Sequence, residues 1–415
     1  MPKYEVLSKE AAKAELEALR AAYNEKKALG LRLDMSRGKP CPKQLDLSEG
    51  LLDAKLLNPP TTESGFDCRN YGLLDGIPEA KRLFGEMLNV PAEQVIVCGN
   101  SSLQIMYDLV QDIVTNAGGE PIRWLCPVPG YDRHFSILES FGIEMIPIPM
   151  RSGGPDMSLV EQYCRDERVK GLICVPKYSN PEGTTYTEEV VRRFAALQPS
   201  ARDFRVIWDN AYCVHDLYKE AEPLANVLAL AKAAGTEDRF LEVTSFSKIS
   251  FPGAGISCIA ASPANIAAIK KRMNIQTISY DKLNQLRHVR YFKNVSGVSA
   301  HMKKHASILR PKFEAVLDIL ERDLSEPGFA SWSQPRGGYF ISLNILTGTA
   351  KRTYTRCVEA GVTLTPAGAT YPLGHDPEDK NLRIAPTYPS LEELQAAAGL
   401  LCLCAKIAAL EVMIA

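Results

Sequence analysis

The sequence has no C-x-x-C pair, no zincin histidine motif and no unbroken run of about 18 apolar residues. The last absence leaves no transmembrane helix to expect, and the opening MPKYEVLSKEAAKAELEALR lacks the apolar stretch of a signal peptide. An excess of one charge is missing too. A net charge of -1 gives no basic footprint for nucleic acid and no attraction to an anionic membrane, so neither is expected as a partner. There is no Walker lysine loop, no G-x-G-x-x-G, no internal repeat and no low-complexity linker. Eleven cysteines are scattered in an odd count without framework spacing, which implies reduced, mostly buried thiols and a cytoplasmic protein. His301 and His305 stand four apart in HMKKH, but the lysines between them make this read as a solvated helix face, and no metal site is expected.

What is present is an ordinary globular composition, 46% hydrophobic and 23% charged, in a chain of 415 residues that can bury a large core unaided. Segment 8–29 has a helical period, with Ser8 as its N-cap and Gly30 as its end. From about residue 76 to 263, short apolar runs alternate with amphipathic stretches such as 101–115. The runs are 95–98, 122–126, 144–148, 171–175, 205–208, 240–244 and 255–260. The pattern predicts an α/β layer with a mostly parallel, seven-stranded sheet, which binds ligands at the carboxyl ends of its strands. Beyond Pro263, helices are expected over 264–294, 299–323, 350–360 and 390–411, with strands over 337–344 and 381–385. The expected division is a large domain, 50–295, and a smaller α+β domain made of 1–49 plus 296–415.

The residues just after each run carry the candidate chemistry. Lys248 follows an apolar strand in Thr244-Ser245-Phe246-Ser247-Lys248; a desolvated lysine is an amine nucleophile for carbonyl chemistry, and the serines can donate to a phosphate. Taken alone, a solvated loop lysine near the Gly/Pro turn is the more ordinary reading. Asp209 ends Arg205-Val-Ile-Trp-Asp209, where it can pair with a protonated ring nitrogen or cap the next helix, and Tyr212 lies one turn on. Asn180, in an Asn-Pro-x-Gly turn, can aim its amide at a ligand oxygen or simply form the turn. Asn100, Ser101 and Ser102 open a helix after a strand, which makes an anion site or a plain N-cap. Tyr131, in Pro129-Gly130-Tyr131, can stack on a flat cofactor or pack in the core. Arg383, among apolar neighbours, can grip a carboxylate or form a structural salt bridge.

In this order the motifs resemble fold-type I pyridoxal-phosphate (PLP) enzymes of the class I/II aminotransferase superfamily, over about residues 34 to 390. Ser36-Arg37-Gly38-Lys39-Pro40, Asn70-Tyr71-Gly72 with Asp75-Gly76, and Asn284-Gln285-Leu286-Arg287-His288 are similar to the bacterial aspartate aminotransferase subgroup related to MocR-type proteins. The resemblance implies that Lys248 holds pyridoxal 5'-phosphate covalently and serves as base and acid. It also implies that Asp209 pairs with the pyridine nitrogen, Asn180 and Tyr212 bind the phenolic oxygen, and Tyr131 stacks on the ring. Asn100, Ser101, Ser102, Ser245 and Ser247 would surround the phosphate, with Tyr71 reaching the neighbouring subunit's cofactor in a homodimer. Arg383, helped by Asn180 and the Gly38 backbone, would bind the substrate carboxylate. Amino groups would pass between an amino acid and a 2-oxo acid, aspartate with 2-oxoglutarate leading. For the distal carboxylate, Arg37, Lys39, Arg287, Arg290 and Arg336 are the candidates. The alternatives are an aromatic or broad-range aminotransferase, a PLP lyase, and a non-catalytic regulator. One departure stands out: Pro252-Gly253-Ala254-Gly255-Ile256 lacks the arginine that many members use for the phosphate.

Overall fold

The computed structural model describes Tyr4 and residues 7–415. All seven apolar runs are strands of one sheet. In spatial order they are Val95–Cys98, Ser257–Ala261, Phe240–Ser245, Arg205–Asp209, Val169–Cys174, Arg123–Val128 and Glu144–Arg151. Pairing is parallel from Phe240–Ser245 across to Glu144–Arg151, while Ser257–Ala261 runs antiparallel to both its neighbours. Successive side chains feed opposite faces. Val97, Leu125, Leu172, Val206 and Trp208 join one apolar cluster, and Ile96, Trp124, Cys126, Ile173 and Ile207 join another on the reverse face. A sheet covered on both faces explains why the runs show no polar alternation.

The sheet has an eighth strand that the seven-strand expectation omits. Gly154–Pro155 pairs antiparallel with Met150 and Arg151 at the edge, and two residues are too few to leave an apolar run. The expected helix 264–294 is also two helices, Pro263–Gln276 and Lys282–Phe292. The break comes at extended Thr277, and Asp281 N-caps the second helix by accepting from the Asn284 N–H. His301 and His305 are buried, against the expectation of a solvated face. They sit on the inner side of the 30-residue helix Val295–Leu324, whose Lys303 and Lys304 point outward. Among the described residues no group of three or more His, Cys, Asp or Glu side chains converges as for a metal.

A third apolar cluster gathers the N-terminal helix Lys9–Ala28, the far part of Val295–Leu324, a three-stranded antiparallel sheet (Ser331–Trp332, Ile341–Asn344, Asn381–Ile384) and the closing helix Leu391–Ile414. Ser390 and Glu393 form a capping box at the start of that last helix. By length and composition it could cross a membrane, but Leu394, Leu400, Leu401 and Ile407 are buried against Lys9–Ala28 and Val295–Leu324. The eleven thiols are unpaired, and all but Cys213 are buried.

Glu242, in the middle of the large sheet, is a buried carboxyl with a single partner. Its side chain accepts one hydrogen bond, from Asn210 Nδ2 at 2.8 Å, and burial pushes its carboxyl up to about 7. The native state therefore keeps a proton that the unfolded chain loses above pH 4.5. The stability tied to that proton is complete below pH 4.5 and drains away as pH rises to about 7. The loss amounts to roughly 3 kcal/mol. Glu242→Gln keeps an acceptor for Asn210 without the titration. Urea unfolding of the variant will show a flatter stability profile between pH 4.5 and 8, gaining on wild type by up to that amount.

Candidate active site

The carboxyl ends of the central strands open onto a cavity of about 610 Å3. It brings together Asp209, Tyr212, Ser245, Ser247 and Lys248 from two adjacent strands, Tyr131 and Asn180 from their neighbours, and Gly38 and Arg383 from the third cluster's side. Ser101 and Ser102 line it as well, at the start of the helix Ser102–Asn116.

Asp209 is buried, and Arg205–Asp209 delivers it at its last residue. Its Oδ2 lies 3.0 Å from His134 Nε2, whereas its Oδ1 has no hydrogen-bond partner at all. No helix follows it to be capped. A buried carboxylate oxygen left unpaired is costly unless a ligand donates to it.

Lys248 sits in the turn after Phe240–Ser245. Burial lowers its amine below the usual lysine range, against the pull of the Asp209 charge. Its Nζ lies 5.2 Å from the Tyr212 ring centre and 5.9 Å from that of Tyr339. Burial also raises the phenols, Tyr131 to about 12 and Tyr212 well above its ordinary value, so both remain O–H donors. Tyr131 opens the helix Asp132–Ser140 and meets the His134 ring edge-on at 5.0 Å.

Two hydroxyls form a short chain: Ser245 Oγ donates to Ser247 Oγ at 3.1 Å, and Ser247 Oγ donates to the Asn100 carbonyl at 2.8 Å. Ser101 Oγ accepts from the Leu103 N–H at 3.2 Å as the N-cap of its helix. The helix start and these hydroxyls make one anion-binding corner. Arg383 is buried. It donates to Asp132 Oδ1 at 2.7 Å, to Asn180 Oδ1 at 3.2 Å and, through two nitrogens, to Thr365 Oγ1.

The sequence profile of the aspartate amino-transferase family matches residues 7–415, so a cavity of this make-up has a lineage. The chain belongs to that family. An aspartate aminotransferase of Corynebacterium glutamicum is 45% identical over 404 residues, covering 95% of this chain and 94% of that protein. The crystal structure of an aspartate transaminase from the same species superposes with a TM-score of 0.94 at 44% identity, covering 97% of each chain. A 2-aminoadipate transaminase of Thermus thermophilus is more distant, 25% identical over 82% of each chain. The protein is an aminotransferase of fold type I.

Two of the family residues expected at the site stand outside the cavity wall. Asn100 is exposed: its Nδ2 donates to the Pro252 carbonyl at 3.0 Å, and only its backbone carbonyl, which accepts from Ser247 Oγ, braces the serine turn. Tyr71 is 75% exposed on a loop away from this chain's own cavity. Three residues that sequence reading passed over contribute directly. They are His134 on Asp209, Thr365 under Arg383, and Tyr339 facing Lys248.

Of the five candidate cations, three are committed elsewhere. Arg287 donates to Asn284 Oδ1, Arg290 to the Leu56 and Thr61 carbonyls, and Arg336 lies over the Tyr218 ring. Asn284 in turn holds the Ala254 and Gly255 carbonyls, bracing the turn that lacks the arginine. Arg37 and Lys39 do line the cavity, joined by Arg133. Lys39 Nζ rests 3.7 Å above the Tyr388 ring, whereas Arg37 has no side-chain partner among the described residues.

Proposed function

We propose that this aminotransferase moves amino groups between aspartate and 2-oxoglutarate, with pyridoxal phosphate held at Lys248. The observation that carries the cofactor reading is the pairing of an unsatisfied buried oxygen, Asp209 Oδ1, with a desolvated lysine in one cavity. An Asp209 Oδ1 without a partner suits a protonated pyridine nitrogen, and the serine corner suits a phosphate, so the residues present fit the group. When bound, pyridoxal phosphate supplies a cationic ring that spreads the electron pair released at the substrate Cα.

The chain's own residues do the rest. Lys248 Nζ takes the Cα proton and later returns it, base then acid from one nitrogen. Asp209 keeps the ring nitrogen's proton in place, and His134 fixes the carboxylate's orientation through Oδ2. Arg383 offers its fork to the α-carboxylate, which takes over from Asp132 as its partner. Tyr131 and Tyr212 give the ring its walls, and Asn180 Nδ2 remains free to donate because its Oδ1 is held by Arg383.

Arg37 is the best-placed cation for the distal carboxylate, since it lines the cavity uncommitted. Arg37→Met will lower kcat/KM for aspartate on the order of tenfold, as loss of one charged hydrogen-bond partner to the substrate does. Steady-state rates with a non-acidic amino acid will stay within about threefold of wild type, because that substrate never used the contact.

The reading includes a homodimer. It is supported by the exposure of Tyr71 with Leu52, Ile275 and Ile278, apolar groups that a second copy would cover. The two-domain division, 50–295 against 1–49 plus 296–415, is supported by the separate third apolar cluster, and a cytoplasmic location by the unpaired thiols. The deciding experiment is a half-reaction screen that follows the bound cofactor's absorbance as single amino acids are added, with borohydride trapping at Lys248. Conversion by aspartate and glutamate supports the reading. Conversion only by aromatic substrates, release of other products, or no bound cofactor favours a broad-range enzyme, a lyase or a regulator respectively.

A further inference from the structure

Behind Lys248 lies a buried polar array that the reaction as described does not use. It includes the HMKKH histidines. Tyr339 is fully buried, and its hydroxyl donates to the Lys248 carbonyl over a long 3.4 Å. Gln44, also fully buried, accepts from the Cys41 N–H at 3.1 Å, which fixes which end of its amide is oxygen. Its two N–H bonds therefore go to the Tyr339 hydroxyl at 3.0 Å and to His305 Nδ1 at 2.9 Å.

That assignment propagates. Tyr339 accepts a hydrogen bond from Gln44, so its own O–H is left to the Lys248 carbonyl. His305 accepts at Nδ1, so its proton is on Nε2, facing His301 Nε2 at 3.0 Å. His301 Nε2 has one hydrogen to give and donates it to the Ile249 carbonyl at 2.9 Å, so it does not accept from His305, whose Nε2–H is directed at the same carbonyl. One residue further, Ser250 Oγ lies 2.9 Å from His288 Nε2, whose Nδ1 meets the Asn284 carbonyl at 2.8 Å. Burial pushes His288 down to about 4 and His305 to about 3, so the imidazoles are neutral and each carries one N–H.

Three consecutive residues, 248 to 250, are thus gripped from three elements, with a fourth joined to them through Gln44. The three are the helix Lys282–Phe292, the helix Val295–Leu324 and the lead-in to the strand Ile341–Asn344, and the fourth is the short helix Pro42–Asp46. A core that only needed filling would be served as well by apolar side chains. This array instead ends on the backbone of the reactive lysine. We infer that Tyr339, Gln44, His305 and His301 form a positioning relay that sets the pose of Lys248 and ties it to the helix just after Arg37 and to the strand paired with that of Arg383. The inference rests on the reading of Lys248 as the cofactor's lysine. A proton carrier displaced by about an ångström loses rate rather than substrate affinity.

The test uses the holoenzymes of Tyr339→Phe, His305→Leu and His305→Asn. Each is assayed for kcat, KM, thermal midpoint and the pH at which the bound cofactor's absorbance titrates. Tyr339→Phe keeps the ring beside Nζ and removes the hydroxyl. It will lower kcat about tenfold with KM nearly unchanged, and the absorbance titration will shift. His305→Leu will do the same, and His305→Asn, which restores an acceptor for Gln44, will recover most of the rate. Variants that fold with wild-type kcat and wild-type titration overturn the inference, as does failure of all three to fold, which would make the array structural. Absence of borohydride-trapped cofactor at Lys248 in the wild type would sink the functional reading instead, so the two failures are distinguishable.

Discussion

Lys248→Ala will fold, and its transamination rate with aspartate will fall by roughly four orders of magnitude or more, the upper range for removing a general acid–base group. The cavity holds no substitute. Arg37, Arg133 and Arg383 line it, but guanidinium groups do not deprotonate in proteins, and Lys39 is laid on the Tyr388 ring. Charge alone is not the requirement, so Lys248→Arg will be as inactive as the alanine variant despite retaining a cation. Single-turnover absorbance measurements check both variants, and borohydride followed by peptide mapping should find no label at position 248. Normal turnover in Lys248→Ala would overturn the assignment of roles.

The large sheet was legible because both its faces are covered. That forces unbroken apolar runs such as Val95–Cys98 and Phe240–Ser245, and the chemistry sits where those runs end. Lys248 and Asp209 could be found from position alone. His134 could not, because a histidine in the first turn of Asp132–Ser140 reads as an ordinary helix residue until the fold lays it on Asp209, 75 positions away. Thr365 reaches Arg383 from an irregular segment with no periodic signal. His301 and His305 were misread because the lysines between them in sequence occupy the opposite side of the helix. The break at 277–281 was hidden because only the Asp281 cap marks it, and a capping aspartate resembles any polar helix residue. Tyr71 belongs to a different limit, since a group that projects from its own chain has no partner that one sequence can supply.

Asp209→Ala and Asp209→Asn separate the two readings that a strand-end aspartate allows. A helix cap would lose stability and keep its chemistry. No helix begins directly after Asp209; Oδ2 is committed to His134, and Oδ1, on a residue that lines the cavity, has no hydrogen-bond partner. In Asp209→Asn the amide oxygen can still accept from His134, which leaves an N–H where Oδ1 was. A donor there opposes a second N–H, so a ring nitrogen beside it would remain unprotonated and lose its pull on the Cα electron pair. Asp209→Asn will therefore unfold within a few degrees of wild type while its single-turnover rate drops on the order of a thousandfold. Asp209→Ala removes the steric wall as well and will also weaken cofactor retention. His134→Ala tests orientation separately: it leaves the carboxylate in place but frees Oδ2, and its loss will be smaller than that of either Asp209 variant. A wild-type single-turnover rate in Asp209→Asn would show that the unpaired oxygen has no part in the chemistry.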